Sequence, residues 1–95
     1  MKIRYYIAPE TGEPHIYNHS VDEAEVEDVL EAPGEDRAGR DDSRVAIGQT
    51  SGGRFLRVIY VVDPEPDSVF VITAYELAGK PLQAYRRRRR KKGKR

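Results

Sequence analysis

Cysteine is absent from the 95 residues, which removes disulfides, thiolate nucleophiles and cysteine metal sites and agrees with a reducing compartment. Long apolar runs are missing too: nothing approaches the roughly 18–20 apolar residues that span a bilayer. The opening MKIRYYIAPETGEPH lacks the apolar core of a signal peptide. A cytoplasmic protein without membrane contact is expected. No nucleophile elbow, phosphate-cradling loop or metalloprotease helix can be found; IGQTSGG has glycines but neither the lysine nor the strand-to-helix context of a P-loop, and reads as a hairpin turn. His15 and His19 lie four apart, but Pro14 precedes the first and a helix starts after the second. They therefore share no helix face, no third ligand has suitable spacing, and neither a metal site nor a cofactor is expected.

Charge is plentiful and unevenly placed. Residues 1–85 hold 8 Lys/Arg against 16 Asp/Glu, so 8 − 16 = −8, whereas residues 86–95 hold 9 basic residues and no acid, giving +9. The net charge of +1 conceals this division. A basic arm on an acidic body points to a polyanionic partner; the bland alternatives are a solvated tail or an arm folded back onto the acidic body. With 38% hydrophobic and 35% charged residues, the chain suits one domain with a modest core, residues 1–85, followed by the arm, residues 86–95.

KIRYYIA (2–8) reads as a strand that ends at Pro9. Ser20 is placed to cap a helix over about 21–32, with Glu23 completing a capping box, Val26, Val29 and Leu30 on the inner stripe, and Pro33-Gly34 as the stop. GEDRAGRDDS (34–43) has no apolar residue larger than alanine and reads as a mobile surface loop. RVAIGQT (44–50) and RFLRVIYVV (54–62) flank Ser51-Gly52-Gly53 as a hairpin, and VFVITAYEL (69–77) supplies the next strand. The middle strand is apolar on both faces except at Arg57, which needs a polar partner or a route to solvent. Pro81 is expected at the first position of a last helix that Leu82 and Tyr85 pin to the sheet. Past Tyr85, repulsion between like charges should fray the helix until a polyanion orders it. The order β-α-β-β-β-α predicts an α+β domain with a small antiparallel sheet of three to four strands.

Arginine forks match phosphate oxygens and stack on bases, so Arg86, Arg87, Arg88, Arg89, Arg90, Lys91, Lys92, Lys94 and Arg95 suit a nucleic-acid backbone. Such contacts carry no sequence information. Tyr75, Lys80, Tyr85 and Arg86 gather around the end of the last strand and the start of the last helix. They could serve metal-free phosphodiester cleavage, which needs a proton acceptor for the 2′-hydroxyl, a cation for the phosphate and an acid for the leaving oxygen. Each also has a structural explanation: Tyr85 as core anchor, Tyr75 as cross-strand residue, Lys80 as loop charge. His19, at a helix entrance, is suited to general acid or base work or to a local hydrogen bond.

HSVDEAEVEDVL resembles the "His-Gly-Val-Ser, then Glu-rich amphipathic helix" segment of BrnT-type toxins and their bacterial relatives; RVAIGQTSGGRFLRVIYVV and VFVITAYEL resemble their hairpin and last strand. The resemblance covers roughly residues 15–90 and implies a RelE-like fold, metal-independent cleavage of RNA, with the ribosome as one setting, and a cognate antitoxin as partner. It places His19 at the family's histidine before the first helix and Arg44 beside an arginine that opens the hairpin strand. Ile72-Thr73-Ala74-Tyr75 follows the family's "Ile-Ser-x-Arg", with tyrosine in place of arginine, so Lys80 or Arg86 would have to supply the cation. The alternative implied by that departure and by the acidic body is a non-catalytic module that binds nucleic acid or a protein.

Overall fold

In the computed structural model, which describes residues 1–93, five strands form one sheet. They are β1 (Lys2–Tyr5), β2 (Glu35–Ala38), β3 (Arg44–Gln49), β4 (Phe55–Val62) and β5 (Ser68–Glu76), in the spatial order β1-β5-β4-β3-β2. A 3-10 turn, His15–His19, and helix α1 (Glu23–Glu31) lie between β1 and β2; helix α2 (Gly79–Gly93) follows β5. The α+β class is as expected, but the sheet is larger than three to four strands and is mixed rather than antiparallel, because β1 runs parallel to β5. The other three pairings are antiparallel. Alternation along residues 2–8 marks a strand but carries no information on pairing direction, which the return path through α1 decides.

The second departure is β2, which falls inside the segment expected to be a mobile loop. Backbone pairing to β3 holds it, and its side chains need no core. The Asp36 carboxylate accepts from the Tyr60 hydroxyl at 2.6 Å and from Arg44 Nε at 2.9 Å. Burial and then that bond push the Tyr60 hydroxyl up to about 12. A short edge strand of Glu, Asp and Arg also discourages pairing with another chain.

Helix α1 starts two residues later than expected. Asp22 caps it, accepting from the Glu25 N–H at 2.9 Å, while the Glu25 side chain accepts from the Asp22 N–H at 3.2 Å. Ser20 is unavailable as N-cap because it closes the 3-10 turn in left-handed backbone at φ 58°. Val26 and Val29 are fully buried against Ala46, Leu56 and Val58. Gly48 lets the helix approach β3: a Cβ there would lie 3.3 Å from a Val29 methyl. The hairpin turn after β3 is tied to α1 as well, since Asp28 accepts from both the backbone N–H and the hydroxyl of Ser51 at 2.9 Å.

One irregularity in β5 divides the sheet into two faces. Val71 pairs with Tyr60 and Thr73 with Ile59, leaving Ile72 as an extra residue, a β-bulge. Without it, Val69, Val71, Thr73 and Tyr75 would share a side. With it, Val69, Val71 and Ala74 all join the core beneath α1, and Thr73 and Tyr75 turn to the opposite face. That second face carries Val45, Ile47, Phe55 and Ile59, against which Leu77, Leu82 and Tyr85 pack. Among the described residues no helix is long and apolar enough to cross a membrane.

The free end of β1 is fixed to the sheet by charge. Arg4 donates to both carboxylate oxygens of Asp63, at 3.1 and 2.8 Å, and the Ser68 hydroxyl adds a third bond at 2.6 Å. Hydrogen bonds from Arg4 and Ser68 lower the Asp63 carboxyl to about 2. A carboxyl lowered on folding contributes stability that is fully present above its ordinary value of about 3.9 and is lost as pH falls through the folded value. Asp63→Asn should therefore flatten the acid limb of the stability curve between about pH 4 and 2. Denaturation midpoints measured across that range check this; an unchanged limb would show that the cluster contributes nothing.

Candidate functional site

Strand register aligns side chains on the α2 face in transverse rows, because directly opposed residues of neighbouring strands project to the same side. One row reads Glu35, Ile47, Arg57, Tyr75 from β2 to β5; the next reads Arg37, Val45, Ile59, Thr73. Phe55, Arg57, Ile59, Thr73 and Tyr75 are half-buried, in contrast to the fully covered Leu56, Val58 and Ala74 of the α1 face. This face is thus only partly roofed by α2.

Arg57 stands at its centre. Its Nε is buried without a hydrogen-bond partner, and no carboxylate pairs with it among the described residues. Thr73 Oγ1, in the adjacent row, is likewise buried and unpartnered. Buried polar atoms without partners are costly and uncommon. The two residues stand in neighbouring rows of the half-covered face, and the part of the Arg57 side chain that is not buried is the cation an anion would meet there. Tyr75 lies directly across from Arg57, and its ring meets that of His19 edge-on, with centroids 5.8 Å apart. The 3-10 turn therefore brings His19 alongside the C-terminal half of β5, beyond the reach of β1.

Helix α2 supplies the second part of the site. It opens at Gly79, in left-handed backbone at φ 61°, so Pro81 is its third residue rather than its first, still in the turn where proline is tolerated. Rather than fraying past Tyr85, it continues through Gly93. Two arginines hold it down: Arg88 is bidentate on Glu35, with Nη2 to Oε1 at 3.0 Å, and Arg89 donates to the Gly34 carbonyl at 2.7 Å. Among the described residues, Glu35 is the acid onto which the arm folds back. The hydrogen bond to Glu35 keeps the Arg88 guanidinium above its ordinary value. The other basic side chains stay exposed: Arg86, whose guanidinium lies 5.0 Å over the Phe55 ring, and Arg87, Arg90 and Lys91. An open cleft of about 470 Å³ between α2 and the end of α1 is lined by Gly34, Phe55, Arg86, Arg89 and Arg90.

The expected site residues divide accordingly. His19 and Tyr75 are brought together, and Arg86 sits over Phe55 on the same face. Arg44 is not with them: it pairs with Asp36 across from Tyr60, on the α1 face. Tyr85 is a buried anchor whose hydroxyl packs against Gly34, where an added Cβ would come within 1.8 Å of it. Lys80 is exposed at the start of α2, and no hydrogen bond or ion pair joins it to Tyr75. Lys94 and Arg95 lie outside the described residues, as does the side chain of Lys92. The residues missing from the expected site are Arg57 and Thr73. Arg57 had a signal, a lone charge in an apolar strand; Thr73 had none, because its facing depends on the bulge.

Charge is segregated between the two sides. Arg4, Arg37 and Arg57 fall on the α2 face, where Asp63 pairs with Arg4 and Glu35 with Arg88, while Glu23, Glu25, Glu27, Asp28 and Glu31 belong to α1 on the other, which also carries Arg44 and Arg54.

Residues 16–76 match the family described as "Domain of unknown function (DUF4258)", and the chain belongs to that family. The match runs from the 3-10 turn to the end of β5, taking in Arg57, Thr73, Tyr75 and His19 and leaving out α2. No curated protein and no solved structure matches the chain.

If the Glu35–Arg88 pair seats α2, Glu35→Ala should loosen the basic end of the helix. With Arg88 40% exposed, the pair is worth at most about 1 kcal/mol, so amide exchange over residues 86–91 should quicken by roughly fivefold. Exchange unchanged in that segment would show that Tyr85, Leu82 and the Arg89 bond to the Gly34 carbonyl seat the helix without the ion pair.

Proposed function

We propose that this member of the DUF4258 family is a metal-independent endoribonuclease that holds single-stranded RNA on the α2 face of its sheet. The observation that carries this reading is the unpartnered Arg57–Thr73 pair beside Tyr75 and His19. Helix α2 extends the same surface with exposed arginines that can follow the RNA backbone. Phe55 holds the exposed Arg86 guanidinium over its ring, on the same surface.

Cleavage by this set needs no added group. His19 takes the proton of the 2′-hydroxyl. The 2′-oxygen attacks the neighbouring phosphorus, the P–O5′ bond breaks, and the Tyr75 hydroxyl donates its proton to the departing 5′-oxygen. The products are a 2′,3′-cyclic phosphate and a 5′-hydroxyl end, and solvent returns a proton from His19 to Tyr75. Arg57, with Arg86, balances the charge that grows on the phosphoryl oxygens. Resemblance to BrnT-type toxins adds two expectations, a cognate antitoxin that restrains the activity and messenger RNA, including at the ribosome, as target.

The binding-only alternative draws support from one observation: His19 and Tyr75 touch ring to ring, with no hydrogen bond between them. The test is incubation of labelled RNA with purified protein at low salt and with a chelator present. Scission should occur and leave cyclic-phosphate ends. Arg57→Ala should slow it by about 10²–10³ and His19→Ala by about 10²–10⁴, with folding checked by circular dichroism. Scission at the full rate in both variants would remove this site from the chemistry, and retardation without scission would establish the binding module.

A further inference from the structure

A line of rings leads away from the proposed cleavage site. From Tyr75 it passes to His19 at 5.8 Å, to His15 at 5.3 Å and to Tyr6 at 6.0 Å, with interplanar angles of 61–78°. It starts on the α2 face and ends at the sheet edge just past β1, where the Tyr6 N–H bonds to the Val71 carbonyl. Resting on the proposed RNA reading, we infer that His19, His15 and Tyr6 form a second subsite, a stacking track for unpaired bases on one side of the scissile phosphate.

Three observations support this assignment. Ile16, 1% exposed, is the residue of the 3-10 turn that enters the core, and the His15 N–H bonds to the Tyr6 carbonyl at 2.9 Å, so neither histidine ring belongs to the apolar core. Tyr6 is 42% exposed and His19 is exposed too, although each touches a neighbouring ring. No ring is stacked face to face on the next; an edge-on contact takes up at most one face of a ring, so the exposed Tyr6, with a single such contact, keeps a face for a base. Hydrogen bonding makes no competing claim: among the described residues nothing engages the Tyr6 hydroxyl or the His19 ring, and His15 has only Asn18 at 3.4 Å. Aromatic platforms of this type hold single strands with little regard to sequence, because every base has a π-face. A duplex keeps its bases stacked inside and cannot use them.

The track differs from the arginine surface in its physics. Stacking releases few counterions, whereas each phosphate neutralised by arginine steepens the salt dependence. Removing rings should therefore lower affinity without changing the salt slope.

The probe is fluorescent 2′-O-methyl oligouridylate, which lacks the attacking hydroxyl and cannot be cleaved, in a short form of about 4 nucleotides and a long form of about 12. The short form occupies the arginine-lined centre, because phosphate contacts dominate affinity. Tyr6→Ala combined with His15→Ala should weaken the long form by about tenfold or more, leave the short form unchanged and keep the salt slope. Tyr6→Phe with His15→Phe, which retains the rings, should restore the long-form affinity. Equal loss for both lengths, or no loss for either while the wild type binds, overturns the track and leaves the proposed function standing. Failure of the wild type to bind either length overturns both.

Discussion

Ile72, the extra residue of β5, decides on which side of the sheet the rest of that strand acts. A strand whose apolar residues kept a strict period of two would send Thr73 and Tyr75 into the core beneath α1, where a hydroxyl and a phenol would have to replace Ala74 beside Val58. The bulge costs one unpaired residue, left 37% exposed. In return, β5 fills the core with Val69, Val71 and Ala74 and still presents Tyr75 opposite Arg57. Bulges often re-aim a side chain next to a functional site. Thr73 and Tyr75 owe their place on the α2 face to this change of parity.

Separation of charge follows from the same two-sided design. Helix α1 covers one face and exposes its acidic outer side, and its capping box and ties to Arg54 and Ser51 absorb several of the carboxylates. The opposite face has arginines at three register positions and a helix of arginines alongside. Asp63 takes up Arg4 there, and Glu35 is the acid that meets the arginine helix. It orders Arg88 and so directs the rest of α2, leaving Arg86, Arg87, Arg90 and Lys91 exposed to whatever the face binds.

Half of the site was legible along the chain and half was not, for reasons that differ by residue. Arg57 is conspicuous as the lone charge inside FLRVIYVV; its partner could not be read along the chain, and among the described residues its Nε has none. His19 could be placed at a helix entrance, but its contact with Tyr75 spans 56 positions of chain and is made only when the 3-10 turn packs beside β5. Arg44 and Tyr85 look as suitable as Tyr75 in residue type. Parity in the sheet sends Arg44 to the α1 face against Asp36, and burial commits Tyr85 to seating α2.

The sequence by itself determined the α+β class, the amphipathic first helix, the hairpin, the last strand and the basic terminus, all of which rest on local periodicity, turn residues and charge. Tertiary structure decided what periodicity does not encode. It made β1 parallel to β5, turned the charged segment Glu35–Ala38 into an edge strand through backbone pairing, and moved the N-cap from Ser20 to Asp22 because the preceding turn had claimed the serine. It also ordered the arginine helix, since the carboxylate and carbonyl that hold it come from residues more than fifty positions earlier, a proximity only the folded sheet creates.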